Sequence, residues 1–164
     1  MSRLRPNQPL LPSVLDRLLD DEPGISREPA RGREQVLRDL KEAVRRDLEN
    51  LLNTRRRILA RPSGLKELNC SLVNYGIPDF TGANLGAAAE REEFCRQVQS
   101  VIRQFEPRFK SVTVRPLTNA EPLDRTLRFR IDALLIADPA PEPIVFDSTL
   151  KPATGDFEVK GVDA

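Results

Sequence analysis

The chain has no histidine and no tryptophan, one tyrosine, one methionine and two cysteines among its 164 residues. Each shortage removes a class of chemistry. Without histidine there is no histidine-based catalytic triad and no imidazole metal site, and the commonest acid/base side chain is missing. Without tryptophan, and with Tyr75 as the single tyrosine, the chain lacks stacking platforms for single-stranded nucleic acid. Cys70 and Cys95 are too few for a disulfide framework and have no metal-ligand spacing, so they read as free thiols. No apolar run approaches the roughly 20 residues that span a bilayer. The segment Met1–Pro6 has arginines but no apolar signal core after them. Lys and Arg number 26 against 25 Asp and Glu, a net charge of +1, so no global field draws the chain to nucleic acid or to a membrane surface. These absences describe a soluble cytoplasmic protein without a metal or a cofactor.

What is present is charge laid over regular periodicity. Charged residues make up 31% of the chain and hydrophobic ones 39%, a globular composition with a polar surface suited to contacts with other proteins. Residues 1–33 hold Pro6, Pro9, Pro12, Pro23 and Pro29 and read as an extended arm. Within it Ser13 caps a short helix whose apolar stripe is Val14, Leu15, Leu18 and Leu19. So short a helix is ordered only by packing on the domain or on a partner.

Residues 34–164 form one domain. From Glu34 to about Asn53, Leu37, Leu40, Val44, Leu48, Leu51 and Leu52 recur at helical spacing, with Arg38, Lys41, Arg45 and Glu49 on the other face. Arg55, Arg56, Arg57 and Arg61 follow, where cations complement the helix dipole. The segment Asn74-Tyr75-Gly76-Ile77-Pro78-Asp79-Phe80 is turn-rich, and 81–86 continues as loop. A second helix spans about Ala88 to Phe105, with Phe94, Val98, Val101, Ile102 and Phe105 inward and Glu90, Arg91, Arg96 and Arg103 outward. The period then falls to 2: Val112 and Val114 alternate with Thr113 and Arg115, and Leu127, Phe129 and Ile131 with Arg128, Arg130 and Asp132. Asn119–Pro122 marks the turn between them and Asp138–Pro143 a proline-rich turn. Ile144–Phe146 and Phe157–Val159 each add a short strand. The fold class is α+β, N-terminal helices packed on a largely antiparallel C-terminal sheet.

Glu106-Pro107-Arg108 stands where the helical half meets the strand-rich half. Pro107 fixes its own φ and drives Glu106 out of the α region, so the two opposite charges sit at a stiff corner. Such a corner suits a buried ion pair or a docking contact. No GxSxG, P-loop or GxGxxG sequence is present. The remaining enzymatic option is a carboxylate pair of the glycosidase kind, with Glu106 as the acid and Asp79, Asp132 or Asp147 as its partner. Arg108, two residues away, offers Glu106 an ion pair instead of the apolar pocket that a general acid needs. Arg128 and Arg130 read as a solvated strand face, and the strands from Phe146 to Val159 as the place for an open sheet edge.

Four segments, in order, carry a resemblance. They are Leu15-Asp16-Arg17-Leu18-Leu19-Asp20-Asp21, Asp47-Leu48-Glu49-Asn50-Leu51-Leu52-Asn53-Thr54-Arg55, Asn74–Phe80, and Ile102-Arg103-Gln104-Phe105-Glu106-Pro107-Arg108 followed by Leu127–Asp132. Together they resemble the baseplate wedge and tail-lysozyme-like family of contractile tails, and within it the type VI secretion branch, over about residues 13–160. The resemblance implies a structural subunit that links the baseplate wedge to the first ring of the contractile sheath. Its partners would be other wedge subunits and sheath subunits in a hetero-oligomeric sixfold assembly, on the cytoplasmic side at the inner-membrane-associated baseplate. It implies no cofactor, no metal and no nucleic acid. Glu106, Pro107 and Arg108 are its docking element, with Asn74, Tyr75, Gly76, Arg128 and Arg130 as further partner-binding residues. Its C-terminal strands resemble the interlocking strand module of sheath subunits. The lysozyme-like relatives make a peptidoglycan-degrading hydrolase the alternative.

Overall fold

The computed structural model describes Val14, Leu18 and Gly24, then residues 32–56, 65–80, 87–118, 126–137, 140–151 and 154–162. Most of the N-terminal arm, Arg57, Arg61, the loop 81–86 and the turn Asn119–Pro122 lie outside these residues. Val14 and Leu18 are helical, as the stripe predicts, and both are exposed.

Helix α1 runs from Arg33 to Asn53 and buries Leu40, Val44, Leu48, Leu51 and Leu52 on one face, with Ala43 beside them. Helix α2 runs from Ala88 to Phe105 and buries Phe94, Cys95, Val98, Val101 and Ile102. It stops where Pro107 forbids helical geometry to the residue before it, and Glu106 sits at φ −113°, ψ 85°. Between the helices lie two short 3-10 turns, Lys66–Cys70 and Leu72–Asn74. Four strands follow, β1 Phe109–Leu117, β2 Leu127–Leu135, β3 Glu142–Leu150 and β4 Phe157–Val162. They form one antiparallel meander in the order β1-β2-β3-β4. The α+β expectation holds.

The core lies between the helices and one face of the sheet. Phe94, Phe129 and Phe157 pack edge-to-face or stacked at 5.9–6.1 Å, and Phe80 closes on Phe94 and Phe157 at 5.2 and 5.6 Å. Fully burying a side chain of this size contributes roughly 1.5–3 kcal/mol. On the sheet's other face Arg130 reaches Asp147 directly across the β2–β3 ladder at 2.7 Å, and Arg115 reaches Asp132 at 2.7 Å. Arg128 shares that solvent face. Cys95 is buried, its thiol pushed up to about 11 by burial and by the charge of Glu92, whereas Cys70 is exposed.

Three expectations are corrected. The proline-rich turn ends earlier, because Glu142 and Pro143 already belong to β3. Pro143 is tolerated there because β4 pairs with β3 only from Val145 onward. Second, the strands around Ile144 and Phe157 are longer than expected, nine and six residues. Third, Phe146–Val159 is not an open edge. β3 is paired on both sides, and the outer edge of β4 is occupied by α1. The Asn53 amide donates to the Phe157 carbonyl at 3.0 Å, and its carbonyl accepts from the Phe157 N–H at 2.8 Å. Two residues on, Arg45 donates to the Val159 carbonyl at 3.1 Å and the Val159 N–H donates to Glu49 at 3.4 Å. Arg45 and Glu49 are therefore half-buried clasps and not a free outer face of α1.

The opposite edge is partly covered by α2. Arg103 of α2 donates to the Val112 carbonyl at 3.2 Å, and the Val114 N–H donates to the Gln99 side chain at 3.0 Å. Backbone groups of alternate residues point to the same side of a strand. The next outward position on β1 is Pro116, which has no N–H to offer a foreign strand.

Candidate functional site

Three segments far apart in sequence meet at the corner. Glu106 is 5% exposed, Arg108 is half-buried and Pro107 is exposed. Arg108 Nε donates to Glu106 Oε1 at 2.6 Å, and Nη2 donates to Glu106 Oε2 at 2.5 Å. The Arg108 amide donates to Oε1 as well, at 3.1 Å. The same Nη2 reaches Asp47 Oδ2 of α1 at 2.6 Å. Burial alone would lower the Arg108 pKa; hydrogen bonds and charge from Glu106, then Asp47, hold it above the usual arginine range. One guanidinium thus ties the end of α2 to the middle of α1.

Tyr75 completes the site. Its ring meets Phe105 edge-to-face at 5.4 Å, and its phenol titrates above the ordinary tyrosine value because of burial first and then the negative charges of Asp47 and Glu106. Because the group's folded pKa is raised, the stability it contributes is fully present below the unfolded value near 10 and is lost as pH rises through the folded value. With one tyrosine and no tryptophan in the chain, alkaline absorbance titration reads this site alone. Asp47→Asn should move the midpoint down toward the free-tyrosine value. An unchanged midpoint would mean that Asp47 does not face the phenol.

The neighbours of Tyr75 explain its placement. Asn74 is buried and donates to the Leu68 carbonyl at 2.6 Å, fastening the two 3-10 turns. Gly76 sits at φ +103°, where side chains are rarely tolerated, and a Cβ there would lie 2.3 Å from the Thr54 carbonyl oxygen. That closeness lets Ile77 pair with the chain leaving α1: the Ile77 N–H donates to Thr54 at 2.9 Å and the Arg56 N–H to Ile77 at 2.8 Å. Arg55 caps the helix by donating to the Leu52 carbonyl at 3.0 Å, reaches the Gly155 carbonyl at 2.6 Å and stacks over Phe80 at 4.5 Å. Among the described residues, Arg55 performs the expected dipole complementation from just beyond the helix.

Two buried polar atoms here have no hydrogen-bond partner, Arg108 Nη1 and Asn74 Oδ1. Asp47 carries no local signal that marks it as a site residue, although it opens one of the segments that carry the resemblance. Arg128 and Arg130 do not join the site: β1 begins at the corner with Phe109 opposite Leu135, whereas Arg128 lies opposite Leu117 at the far end. Asp132 and Asp147 pair with Arg115 and Arg130 on the solvent face. The carboxylate nearest Glu106 in this network is Asp47, and Arg108 fills the space between the two. Among the described residues no group of three or more Cys, Asp or Glu converges on a metal position.

Residues 38–140, more than half of the chain, match the family described as baseplate wedge protein gp25. The chain belongs to this family. The gp25 match takes in Asp47, Tyr75, Glu106 and Arg108 together, so the whole ion-pair network lies inside the family's own segment, whereas β3 and β4 lie beyond it. No curated protein matches the chain. A chain from the solved structure titled "The baseplate complex from the type VI secretion system" is similar at 19% identity, with a TM-score of 0.49, covering 80% of this chain and 97% of that one. Among the described residues no helix is long and apolar enough to cross a membrane.

Proposed function

We propose that this gp25-family chain is a non-enzymatic wedge subunit of a type VI secretion baseplate, of the TssE kind. It joins other wedge subunits through the corner at Glu106-Pro107-Arg108 and, through its sheet, links the wedge to the contractile sheath and helps start sheath assembly. In the cell it works as one member of a sixfold hetero-oligomer on the cytoplasmic side, at the inner-membrane-associated baseplate. Family membership and the order of the signature segments support this reading. The observation that carries the docking role is Arg108 Nη1. A buried guanidinium nitrogen without an acceptor calls for one, and it sits beside exposed Pro107. Asn74 Oδ1, lacking a donor in the neighbouring segment, is the second unfilled position. A partner backbone supplies groups of both kinds. In the complex, Tyr75 and Gly76 support the docked surface rather than reacting, whereas Arg128 and Arg130 lie apart from it on the solvent face of the sheet.

Against the hydrolase, both Glu106 oxygens are engaged by Arg108, and the guanidinium occupies the space a sugar would need. The test is peptidoglycan turbidity with purified protein, run beside sheath-focus formation in cells. No clearing is expected from the wild type. Glu106→Gln should abolish foci with no lytic activity to lose. Clearing by the wild type that disappears in the variant would establish the hydrolase.

A further inference from the structure

Among the described residues six large apolar side chains are exposed, and three of them, Leu65, Leu72 and Val73, fall within one short stretch between α1 and α2. Leu72, at 83%, is the most exposed of the six. Its backbone is fastened. The Leu68 N–H donates to the Leu65 carbonyl at 3.3 Å, and the Asn74 amide and Ser71 hydroxyl donate to the Leu68 carbonyl at 2.6 and 2.9 Å. The Tyr75 N–H donates to the Leu72 carbonyl at 3.1 Å, and residues so spaced share one side of a 3-10 turn. Leu72 therefore stands on the side of Tyr75, whose ring packs on Phe105 at the end of α2. A rigid knob thus holds apolar side chains in water beside the corner, as surfaces that meet a partner do.

Two further observations say what covers the knob. Asn74, 4% exposed, leaves its Oδ1 without a donor. Within the corner's ion-pair network Asp47 and Glu106 face the single charge of Arg108, which leaves one negative charge over. The raised Tyr75 phenol senses that charge, and exposed Glu67 adds another on the knob itself. A covering surface must bring apolar side chains, an N–H donor and positive charge. A second copy of this chain would bring the same surplus of carboxylates. The chain's own arm, with Asp16, Asp20 and Asp21 among its leucines, also brings the wrong sign.

We propose that the knob of Leu65, Leu72 and Val73 is the apolar half of the wedge contact and that it receives a basic amphipathic segment of another wedge subunit. The segment's apolar residues cover Leu72 and Val73, a backbone N–H reaches Asn74 Oδ1, and its lysine or arginine side chains meet Asp47 and Glu67. The inference deepens the docking role proposed above and rests on it for the identity of the partner.

Cys70 lies in the knob and is exposed, whereas Cys95 is buried, so a maleimide reads the knob in the unaltered full chain. In the chain co-purified with the other wedge subunits, Cys70 should label at least about tenfold more slowly than in the purified chain alone. Leu72→Lys should lose at least about nine-tenths of the wedge subunits, and Leu72→Glu distinctly fewer, because lysine repels a basic segment and glutamate attracts it. Equal labelling of Cys70 in the free and wedge-bound chain, or full retention of the wedge subunits by Leu72→Lys, overturns the knob and leaves the corner contact standing. A loss from Leu72→Glu as large as that from Leu72→Lys overturns the basic character of the segment. Slow labelling already in the free chain, relieved by Leu18→Asp or by dilution, would assign the knob to the chain's own arm or to a second copy and overturn the proposal. A wild-type chain that retains no wedge subunit removes the docking role, and this inference with it.

Discussion

Arg108→Ala should destabilise the chain by about 3–5 kcal/mol in urea unfolding, because truncating one member of a buried pair leaves the other charged and uncompensated. Glu106, at 5% exposure, would lose both hydrogen bonds it receives from the Arg108 side chain and keep only the one from the backbone N–H, and Asp47 would lose its link to the end of α2. The loss is local in origin and global in effect, since this guanidinium is where α1, α2 and the start of the sheet are pinned. Two controls separate a buried pair from ordinary surface charge. Arg96→Ala removes an arginine that pairs with Glu93 on the exposed face of α2 and should leave the unfolding midpoint unchanged. Arg108→Met combined with Glu106→Leu removes both charges and should recover most of what Arg108→Ala loses. Equal, small effects of Arg108→Ala and Arg96→Ala would show that the corner is merely solvated.

Gly76→Ala should have the second large effect. At φ +103° an alanine is strained, and its Cβ would fall 2.3 Å from the Thr54 carbonyl oxygen, which is backbone and cannot swing aside. Relief requires the two segments to part, with the loss of the hydrogen bonds Ile77 makes to Thr54 and Arg56. Backbone strain of about 1–3 kcal/mol and two hydrogen bonds of about 1 kcal/mol each together give roughly 3–5 kcal/mol. The Tyr75 titration serves as a second readout, because separation would hydrate the phenol and return its midpoint toward 10. A melting temperature and a tyrosine midpoint both equal to the wild type would refute the strained junction.

Much of this architecture can be read from residue order. The stripe Leu40-Val44-Leu48-Leu51 and the alternation Leu127-Phe129-Ile131 each report a periodicity that only one secondary structure satisfies. The corner is equally legible, since Pro107 dictates where α2 ends. β3 is harder to read: Pro143 suggests a turn, and Ser148, at a fully buried position, interrupts the apolar alternation between Phe146 and Leu150. Side chains with two uses are misread by pattern. Arg45 and Glu49 look like a solvated helix face, yet they bond the backbone of a strand more than 100 residues away. Asp47 belongs to the same group. Its role depends on a contact with Arg108 across 61 residues, and no local spacing encodes such a distance. The open edge expected near Val159 fails for that reason: strand order alone leaves β4 exposed, and long-range side-chain bonds close it.

The central claim is that the corner at Glu106-Pro107-Arg108 holds this chain in a baseplate wedge. The measurement that tests it most directly is co-purification of the other wedge subunits with the tagged chain, comparing wild type, Arg108→Lys and Arg130→Ala, each first shown to be folded by circular dichroism. Lysine keeps the charge but loses the fork that engages Glu106 and Asp47 together. The wild type and Arg130→Ala should retain the wedge subunits in equal amounts, and folded Arg108→Lys should lose at least about nine-tenths of them, a loss of about 1.4 kcal/mol or more in association. Recovery of the wedge subunits by folded Arg108→Lys at the wild-type level would contradict the claim.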